Sequence, residues 1–264
     1  MVAEEWFPQC HVDLTAQQVS LCFAGMHRMC TSYYEVRQVV RVLTSAVMNC
    51  FECFSAVDMS RLISGVQCCD ASHPELQQRL LTVVLTKLRY NSSLASGKEV
   101  LSVPLFCRAL SGLRNINSEN TEGIRLLKRL HRYLRVNSGR GGGSSGEAVL
   151  LGFTPFQVSK CLDGIRQVGV ADKTTKKILQ TLASGVIYSS DDDWTTTVVC
   201  DLLSQMGSLS LSRSEGEGEM CDMLAAVTNK LRVALKQTGK GHSFSYQQYQ
   251  YLSLYVAALY FVSC

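Results

Sequence analysis

The sequence predicts an all-α protein, a right-handed-type α-solenoid of about six helix-turn-helix repeats of 40–52 residues. Three observations support this fold: a recurring helix-start signal, apolar columns at helical spacing, and a second helical segment after the first in most copies. The repeats start near residues 14, 54, 101, 153, 194 and 244, which predicts a single array over residues 1–264. Repeats of this kind stack so that each buries the apolar face of its neighbour.

Each first helix is preceded by a large apolar residue and then a hydroxyl residue. A Ser or Thr N-cap accepts a hydrogen bond from an unpaired N–H of the first helical turn, and the apolar residue before it packs as a hydrophobic staple. Gln18, Gln157 and Gln248 stand three residues after their caps and predict capping boxes, and Asp58 favours the positive end of its helix. The six hydroxyl residues are Thr15, Ser55, Ser102, Thr154, Thr195 and Ser245.

A glycine ten residues after the cap recurs in four of the six first helices. The pattern places it mid-helix, where glycine costs about 1 kcal/mol relative to alanine, so we expect two helices to approach closely there. The aligned residues are Gly25, Gly65, Gly112 and Gly164, with Gln205 and Tyr255 in the two later copies. One apolar column of the same helix consists of Val19, Met59, Phe106, Val158, Val199 and Tyr249.

A second helix follows each glycine after a turn. Ser32 and Ser72 stand three residues before Glu35 and Glu75, which predicts two more capping boxes. The longest interval between repeats contains residues 137–146, a Gly/Ser tract that predicts a flexible surface loop. The sixth copy has only its first helix before Cys264, which leaves open whether the array is complete.

Composition excludes several classes of protein. Hydrophobic residues make up 46% and charged residues 18%, which favours a packed core over disorder. No stretch reaches the roughly 18 apolar residues that a membrane span needs, so we expect no membrane partner. Residues 1–20 contain Glu4, Glu5 and Asp13 without Arg or Lys, which resembles neither a secretory signal nor an Arg-rich presequence.

Twelve cysteines without a signal peptide indicate a reducing compartment. Cys50, Cys53, Cys69 and His73 loosely match the spacing of zinc ligands. Cys69 falls near the end of a helical pattern, however, and His73 stands in a turn just before Pro74. We therefore expect buried thiols, with no metal and no cofactor.

Catalytic motifs are missing from the sequence. It has no phosphate-binding G-x-x-x-x-G-K-[ST] segment and no G-x-S-x-G elbow, and its five histidines are scattered. The acidic run 191–193 could bind a cation, but a solvated helix start before Trp194 explains it better. We expect neither an enzyme nor a small-molecule substrate.

Basic residues concentrate in the third repeat. The net charge is only +4, but seven Arg and one Lys stand against two Glu between Arg108 and Arg140. His131 and Tyr133 lie among them, and arginines with stacking rings suit single-stranded RNA. The alternative is an ordinary solvated helix face. The candidate RNA-binding residues of this helix are Arg125, Lys128, Arg129, Arg132 and Arg135.

A second candidate set stands two residues after the aligned glycines. His27, Gln67, Arg114 and Arg166 would align as a polar ladder across the repeats, which is the geometry of proteins that bind one base per repeat. This adds Arg114 and Arg166 to the candidate RNA-binding residues. The alternative is that all four only increase solubility.

Three segments carry a resemblance to a known family. They are LTAQQVSLCFAGMHRMCTSYYEVRQVVRVL (residues 14–43), LSVPLFCRALSGLRNINSENTEGIRLLKRL (101–130) and FTPFQVSKCLDGIRQVG (153–169). They resemble the roughly 40-residue helical-hairpin repeats of organellar RNA-metabolism proteins. The resemblance is greatest to subunits of the kinetoplastid mitochondrial RNA-editing substrate-binding complex, and more distant to octotricopeptide and FAST-kinase-like repeats.

The resemblance implies a mitochondrial protein that binds RNA or scaffolds an RNA-processing or RNA-editing complex. Its expected partners are single-stranded RNA and other protein subunits of that complex. The alternative is a protein-interaction scaffold of the ARM/HEAT type without nucleic-acid contact. A continuous positive concave stripe of basic residues would favour RNA, and a dispersed pattern would favour the scaffold.

Overall fold

The computed structural model describes residues 14–91, 94, 101–138, 152–169, 172–207, 209 and 217–238. These ranges contain ten α-helices and no strand, which confirms the all-α class. The chain divides into two compact units, Met1–Gly146 and Glu147–Cys264. The predicted sixth repeat, from residue 244 onward, lies outside the described residues.

Unit 1 contains six of these helices. Their bounds are α1 Ala16–Gly25, α2 Tyr34–Asn49, α3 Ala56–Gly65, α4 Pro74–Tyr90, α5 Val103–Ser111 and α6 Thr121–Ser138. Short 3-10 turns, Met26–Arg28 and Val66–Cys68, follow α1 and α3. Because α6 runs to Ser138, the first two residues of the predicted loop 137–146 are helical, contrary to expectation, and the rest of that loop lies outside the described residues.

Unit 2 contains the other four helices described. They are α7 Pro155–Ile165, α8 Lys173–Ile187, α9 Thr196–Gly207 and α10 Glu217–Thr238. Helix α9 begins after the acidic run 191–193 and Trp194, so that run lies in the preceding turn and does not start the helix. Asp191 instead forms an ion pair with the buried amine of Lys230, at 2.6 Å.

Within each unit the helices form two layers. In unit 1 the first helices of the repeats pack in the order α1, α3, α5, and the second helices in the order α2, α4, α6. In unit 2, α7 packs on α9 and α8 on α10. In each unit, we call the first helices of the repeats the first-helix layer and the second helices the second-helix layer. The predicted apolar column is buried at every described member: Val19, Met59, Phe106, Val158 and Val199.

The predicted caps of the first helices are largely confirmed. Thr15, Ser55 and Thr154 form complete capping boxes with the residue three positions later. Thr195 Oγ1 accepts a hydrogen bond from the Val198 N–H at 3.4 Å. These caps pair N–H groups that would otherwise be unsatisfied in the first turn.

Ser102 departs from this pattern. It has the extended backbone of an N-cap, but its side chain makes no capping hydrogen bond. Pro104 occupies the second helical position and lacks an N–H, which removes one of the two groups that a capping hydroxyl can bind. The sixth predicted cap, Ser245, lies outside the described residues.

The predicted capping boxes of the second helices are wrong. Helix α2 has Tyr33 as its N-cap and α4 has His73, and neither side chain caps its helix. Ser32 and Ser72 therefore stand one residue before the cap, where their hydroxyls do not face the first-turn N–H groups. The Ser72 hydroxyl donates to the Asp70 carboxylate instead.

The aligned glycines lie at the ends of the first helices, and the expectation that they lie mid-helix is wrong. Gly25 and Gly65 are the last residues of α1 and α3, and Gly112 caps α5. The expected close approach is confirmed at two of them. A Cβ at Gly65 would lie 2.6 Å from the Phe23 carbonyl oxygen, and one at Gly112 would lie 2.6 Å from Ser64 Cα. At Gly25 a Cβ would meet nothing within 4 Å.

Lysines of the second-helix layer close the end of the preceding second helix. Lys87 Nζ donates to the carbonyl oxygens of Met48 at 3.1 Å and Cys50 at 2.6 Å. In unit 2, Lys230 Nζ donates to the Ser189 carbonyl at 2.6 Å, just beyond the end of α8. A cation is favourable there because the last carbonyls of a helix have no intrahelical partner.

Candidate nucleic-acid interface

Hydrogen bonds join the turns of successive hairpins in unit 1. Between the first two hairpins, the Thr31 N–H donates to the Cys68 carbonyl at 3.0 Å, and the Asp70 N–H donates to Thr31 Oγ1 at 3.1 Å. Each turn is therefore fixed by groups of its neighbour as well as by its own.

The second and third hairpins are joined in the same way. Asn115 Nδ2 donates to the Gln67 carbonyl at 2.7 Å, Gln77 Nε2 donates to the Asn115 carbonyl at 3.3 Å, and Asn120 Nδ2 donates to Gln77 Oε1 at 3.0 Å. We call the set Thr31, Asp70, Gln77, Asn115 and Asn120 the turn ladder. It fixes the N-terminal ends of α2, α4 and α6 relative to one another.

The polar ladder expected from the sequence is a different set. His27, Gln67 and Arg114 do occupy equivalent turns of unit 1; His27 and Arg114 are exposed and Gln67 is half-buried. Arg166 is exposed at the end of α7 in unit 2. Of these side chains, His27 bonds within its own turn, with Nδ1 2.9 Å from the Ala24 carbonyl. Base recognition by these residues stays a prediction.

Helix α6 presents its basic residues away from the core. Arg125, Lys128 and Arg132 are exposed, and Arg129 is half-buried beside them. Their spacing of three or four residues keeps them on one side of the helix. The opposite side is buried through Leu126, Leu127, Leu130 and Leu134. We call Arg125, Lys128, Arg129 and Arg132 the α6 basic face; the Arg135 side chain lies outside the described part of the chain.

Among the described residues, most of the charges on the α6 basic face have no acidic partner. Arg125 Nη1 pairs with Glu122 Oε1 at 2.5 Å, one turn earlier on the same helix. Lys128, Arg129 and Arg132 have no carboxylate within ion-pair distance among the residues that the structure describes. Three positive charges therefore stand close together on a helix that the core holds in place.

The two rings expected among these basic residues differ in exposure. His131 is only 6% exposed, and Tyr133 is half-buried with its hydroxyl donating to the Leu88 carbonyl at 3.3 Å. His131 stands four residues after Leu127 and three before Leu134, so helical spacing places it with the buried leucines. The expectation that His131 stacks with an RNA base is therefore wrong, and stacking on Tyr133 stays a prediction.

The structure shows a second basic site that the sequence did not predict. A groove of about 470 Å³ lies between α2 and the start of α4. Arg41 and Arg79 are exposed on its two sides, and Arg37 is half-buried. We call it the arginine groove. Its lining residues are Arg37, Arg41, Ser72, His73, Pro74, Glu75, Leu76 and Arg79.

Arg37 is held firmly at the groove. Its Nη1 donates to the carbonyl oxygens of Thr31 at 2.9 Å and Ser32 at 2.8 Å, and lies 3.1 Å from His73 Nε2. Its guanidinium also lies 5.6 Å from the ring centroid of Tyr34, within cation–π distance. The turn ladder, through Thr31, thus helps to orient a charged group of the groove.

No local charge density in the sequence marks the groove. Arg37 and Arg41 are four residues apart on α2, and Arg79 follows 38 positions after Arg41. They meet because α2 packs against α4. The available signal was the equivalence of α2 and α4 as second helices of adjacent repeats, which predicts contact between them.

The four residues with zinc-like spacing have different surroundings. Cys50 and Cys69 are buried, Cys53 is exposed, and His73 lines the arginine groove. Hydrogen bonding to the Cys68 thiol, together with burial, raises the pKa of Cys69 well above its ordinary value. A metal binds the thiolate, which this environment disfavours. Over the described ranges no three His, Cys, Asp or Glu side chains are grouped as metal ligands would be.

The described helices show no membrane span, and the comparisons with known proteins do not assign the chain to a family. None of those helices is both long and apolar enough to cross a membrane. Comparison of the chain with protein-family models, curated proteins and solved structures finds no match. Function must therefore be argued from the two basic sites and the repeat motifs.

Proposed function

We propose that this chain is a non-catalytic subunit that binds single-stranded RNA in a mitochondrial RNA-processing or RNA-editing complex. The observation that carries the RNA part is the α6 basic face, where Lys128, Arg129 and Arg132 have no acidic partner in the described residues. The compartment and the complex come from the resemblance of the repeat motifs.

The chemistry of this face suits phosphate groups. An arginine presents several N–H donors in one plane and can bind a phosphate through two of them. Because Leu126, Leu130 and the other buried leucines hold α6 in place, the freedom that this helix loses when RNA binds is that of its long basic side chains.

The architecture that we propose is a right-handed-type α-solenoid of hairpins. Its support is the layering within each unit, where first helices pack on first helices and second helices on second helices. Such stacking gives extended surfaces suited to linear ligands.

The test is a filter-binding titration of single-stranded RNA at several salt concentrations. We expect affinity to fall as salt rises. The double variant Arg129→Gln, Arg132→Gln should reduce the log–log slope by about 0.7 for each phosphate group that it no longer binds. Glutamine is a good helix former, so circular dichroism should show unchanged helicity.

The matched control is Lys173→Gln, Lys177→Gln, which removes two exposed charges from α8 in unit 2. It should keep the original slope. An equal loss in both double variants would indicate a dependence on net charge alone. An unchanged slope in the α6 variant would remove this helix from the RNA surface.

A second function, an ARM/HEAT-like protein-interaction scaffold, is favoured by one observation. Met48, Phe51 and Tyr90 are 53%, 100% and 73% exposed at the C-terminal ends of α2 and α4. Exposed apolar and aromatic side chains are typical of protein contacts. If the intact chain binds no RNA in the titration, this function becomes the better one.

A further inference from the structure

We infer that the arginine groove is a nucleotide subsite that takes the phosphate of a single-stranded ribonucleotide while its base stacks on Tyr34. The inference rests on the proposed function, because the nucleotide is taken to be part of an RNA strand. It concerns residues of α2 and α4 and none of the α6 basic face.

The charge and the size of the groove favour a nucleotide. Three arginines face a single glutamate, Glu75, so the lining is net positive. Arg41 and Arg79 come from different helices and can approach one phosphate from two sides. The volume of about 470 Å³ lies within the range of small-ligand sites and exceeds what a phosphate group alone requires.

Arg37 is oriented before any ligand arrives. Its contacts with Thr31, Ser32 and His73 all use Nη1. A guanidinium carries five N–H donors, so those on Nε and Nη2 remain for a phosphate. Because Arg37 is already ordered, binding a ligand requires little further loss of side-chain freedom.

Tyr34 provides the stacking surface beside these charges. Its side chain is 46% exposed, and Arg37 lies next to its ring while also lining the groove. Phosphate and base sites are therefore adjacent, as they are in a nucleotide. Aromatic faces bind bases with little sequence preference, because every base has a π-face.

Titration of the full chain with AMP, followed by calorimetry or by NMR shifts, tests the groove. Ribose 5-phosphate and adenosine serve as the phosphate and base halves of the probe. We expect AMP to bind more tightly than either half. The double variant Arg41→Gln, Arg79→Gln should bind AMP and ribose 5-phosphate at least about tenfold more weakly, because it cannot form the charge-assisted hydrogen bonds.

The variant Tyr34→Ala separates the base contact from the phosphate contact. It should lower AMP affinity to that of ribose 5-phosphate, without changing the affinity for ribose 5-phosphate itself. Tyr188→Ala, which removes a ring that is 56% exposed in unit 2, is the control and should bind AMP like the original chain. Equal affinities for AMP and ribose 5-phosphate in the original chain would remove the base contact from the inference.

Failure of AMP to bind, or normal AMP binding by the Arg41→Gln, Arg79→Gln variant, would overturn the inference. Neither result affects the salt dependence of RNA binding through α6, which the Arg129→Gln, Arg132→Gln titration measures. If the original chain binds AMP but no single-stranded RNA, that result would instead contradict the proposed function and leave the groove as a site for free nucleotides.

Discussion

The two helix layers of unit 1 are built from the same hairpins but use their side chains differently. In the first-helix layer, small side chains bond across to the next helix: Ser20 Oγ donates to Asp58 Oδ1 at 2.9 Å, and Ser60 Oγ donates to the Leu105 carbonyl at 2.8 Å. In the second-helix layer, the outward positions carry the arginines of both basic sites. The described contacts of the first-helix layer therefore serve hairpin stacking, whereas the second-helix layer both contributes to stacking and presents charge to a ligand.

The difference means that substitutions should act on different properties in the two layers. A change at a first-helix contact should lower stability and leave ligand affinity largely intact. A change at an outward arginine of the second-helix layer should have the opposite effect. Of the stability predictions below, those at Gly112 and Thr15 test the first half of this contrast, and the titrations proposed above test the second.

The largest expected effect is at the glycine contacts. Gly112→Ala should destabilise unit 1 by about 2–3 kcal/mol, because a Cβ there would overlap the backbone of α3 and overpacking forces the helices apart. Both Gly112 and Gly25 have helical backbone angles, with φ of −66°, so alanine strains neither. Urea denaturation followed by circular dichroism measures the effect.

Gly25→Ala is the matched control, because nothing lies within 4 Å of its Cβ position. Alanine should be neutral there or stabilise by up to about 1 kcal/mol. If the two variants lose equal stability, close contact between first helices does not explain the glycine column.

A smaller effect is expected where Lys87 closes the end of α2. Lys87→Met keeps the apolar stem but removes the donor to Met48 and Cys50, and should lower the free energy of unfolding by about 1.5 kcal/mol. Lys177→Met, at an exposed position of α8, should change it by less than about 0.5 kcal/mol. Thermal denaturation of both variants at one pH gives the comparison. A loss at position 177 as large as at position 87 would show that the helix-end contact is not the cause.

The smallest expected effects concern the N-terminal caps, and they compare a first helix that has a side-chain cap with a second helix that has none. Thr15→Ala breaks a capping box and should destabilise by about 1 kcal/mol. Ser32→Ala should change stability by less than about 0.5 kcal/mol, because the Ser32 hydroxyl does not cap α2. Urea denaturation of the two variants, compared by the midpoint concentrations of urea at an unchanged m-value, measures the difference. A loss for Ser32→Ala as large as the loss for Thr15→Ala would restore the sequence-based assignment of Ser32 as a cap.

The sequence predicted correctly those features of the fold that depend on contacts between residues close together in the chain. The caps at Thr15 and Thr154 depend on residues three positions away, and the apolar columns depend on helical spacing, so both were predicted correctly. The start of α2 is set instead by the distant bond from Thr31 to Cys68 and by Arg37. That non-local bond is why the cap at Ser32 was placed wrongly.

The two basic sites likewise differ in how far local sequence determines them. The α6 basic face lies on one helix, so charge density and helical spacing were enough to find most of it. His131 was misplaced because its position relative to Leu127 and Leu134 was given less weight than its basic neighbours. The arginine groove requires the packing of α2 on α4, which no single segment encodes.

The turn ladder has a consequence for how the chain is synthesised. The Thr31 N–H bonds to the Cys68 carbonyl, a group that leaves the ribosome 37 residues later. At translation rates of roughly 5–20 residues per second, the first turn waits about 2–7 seconds for its partner. Asn115 completes the second turn after a comparable delay. The first two hairpins of unit 1 thus emerge before a group that helps to fix their turns, and their docking proceeds one repeat behind synthesis.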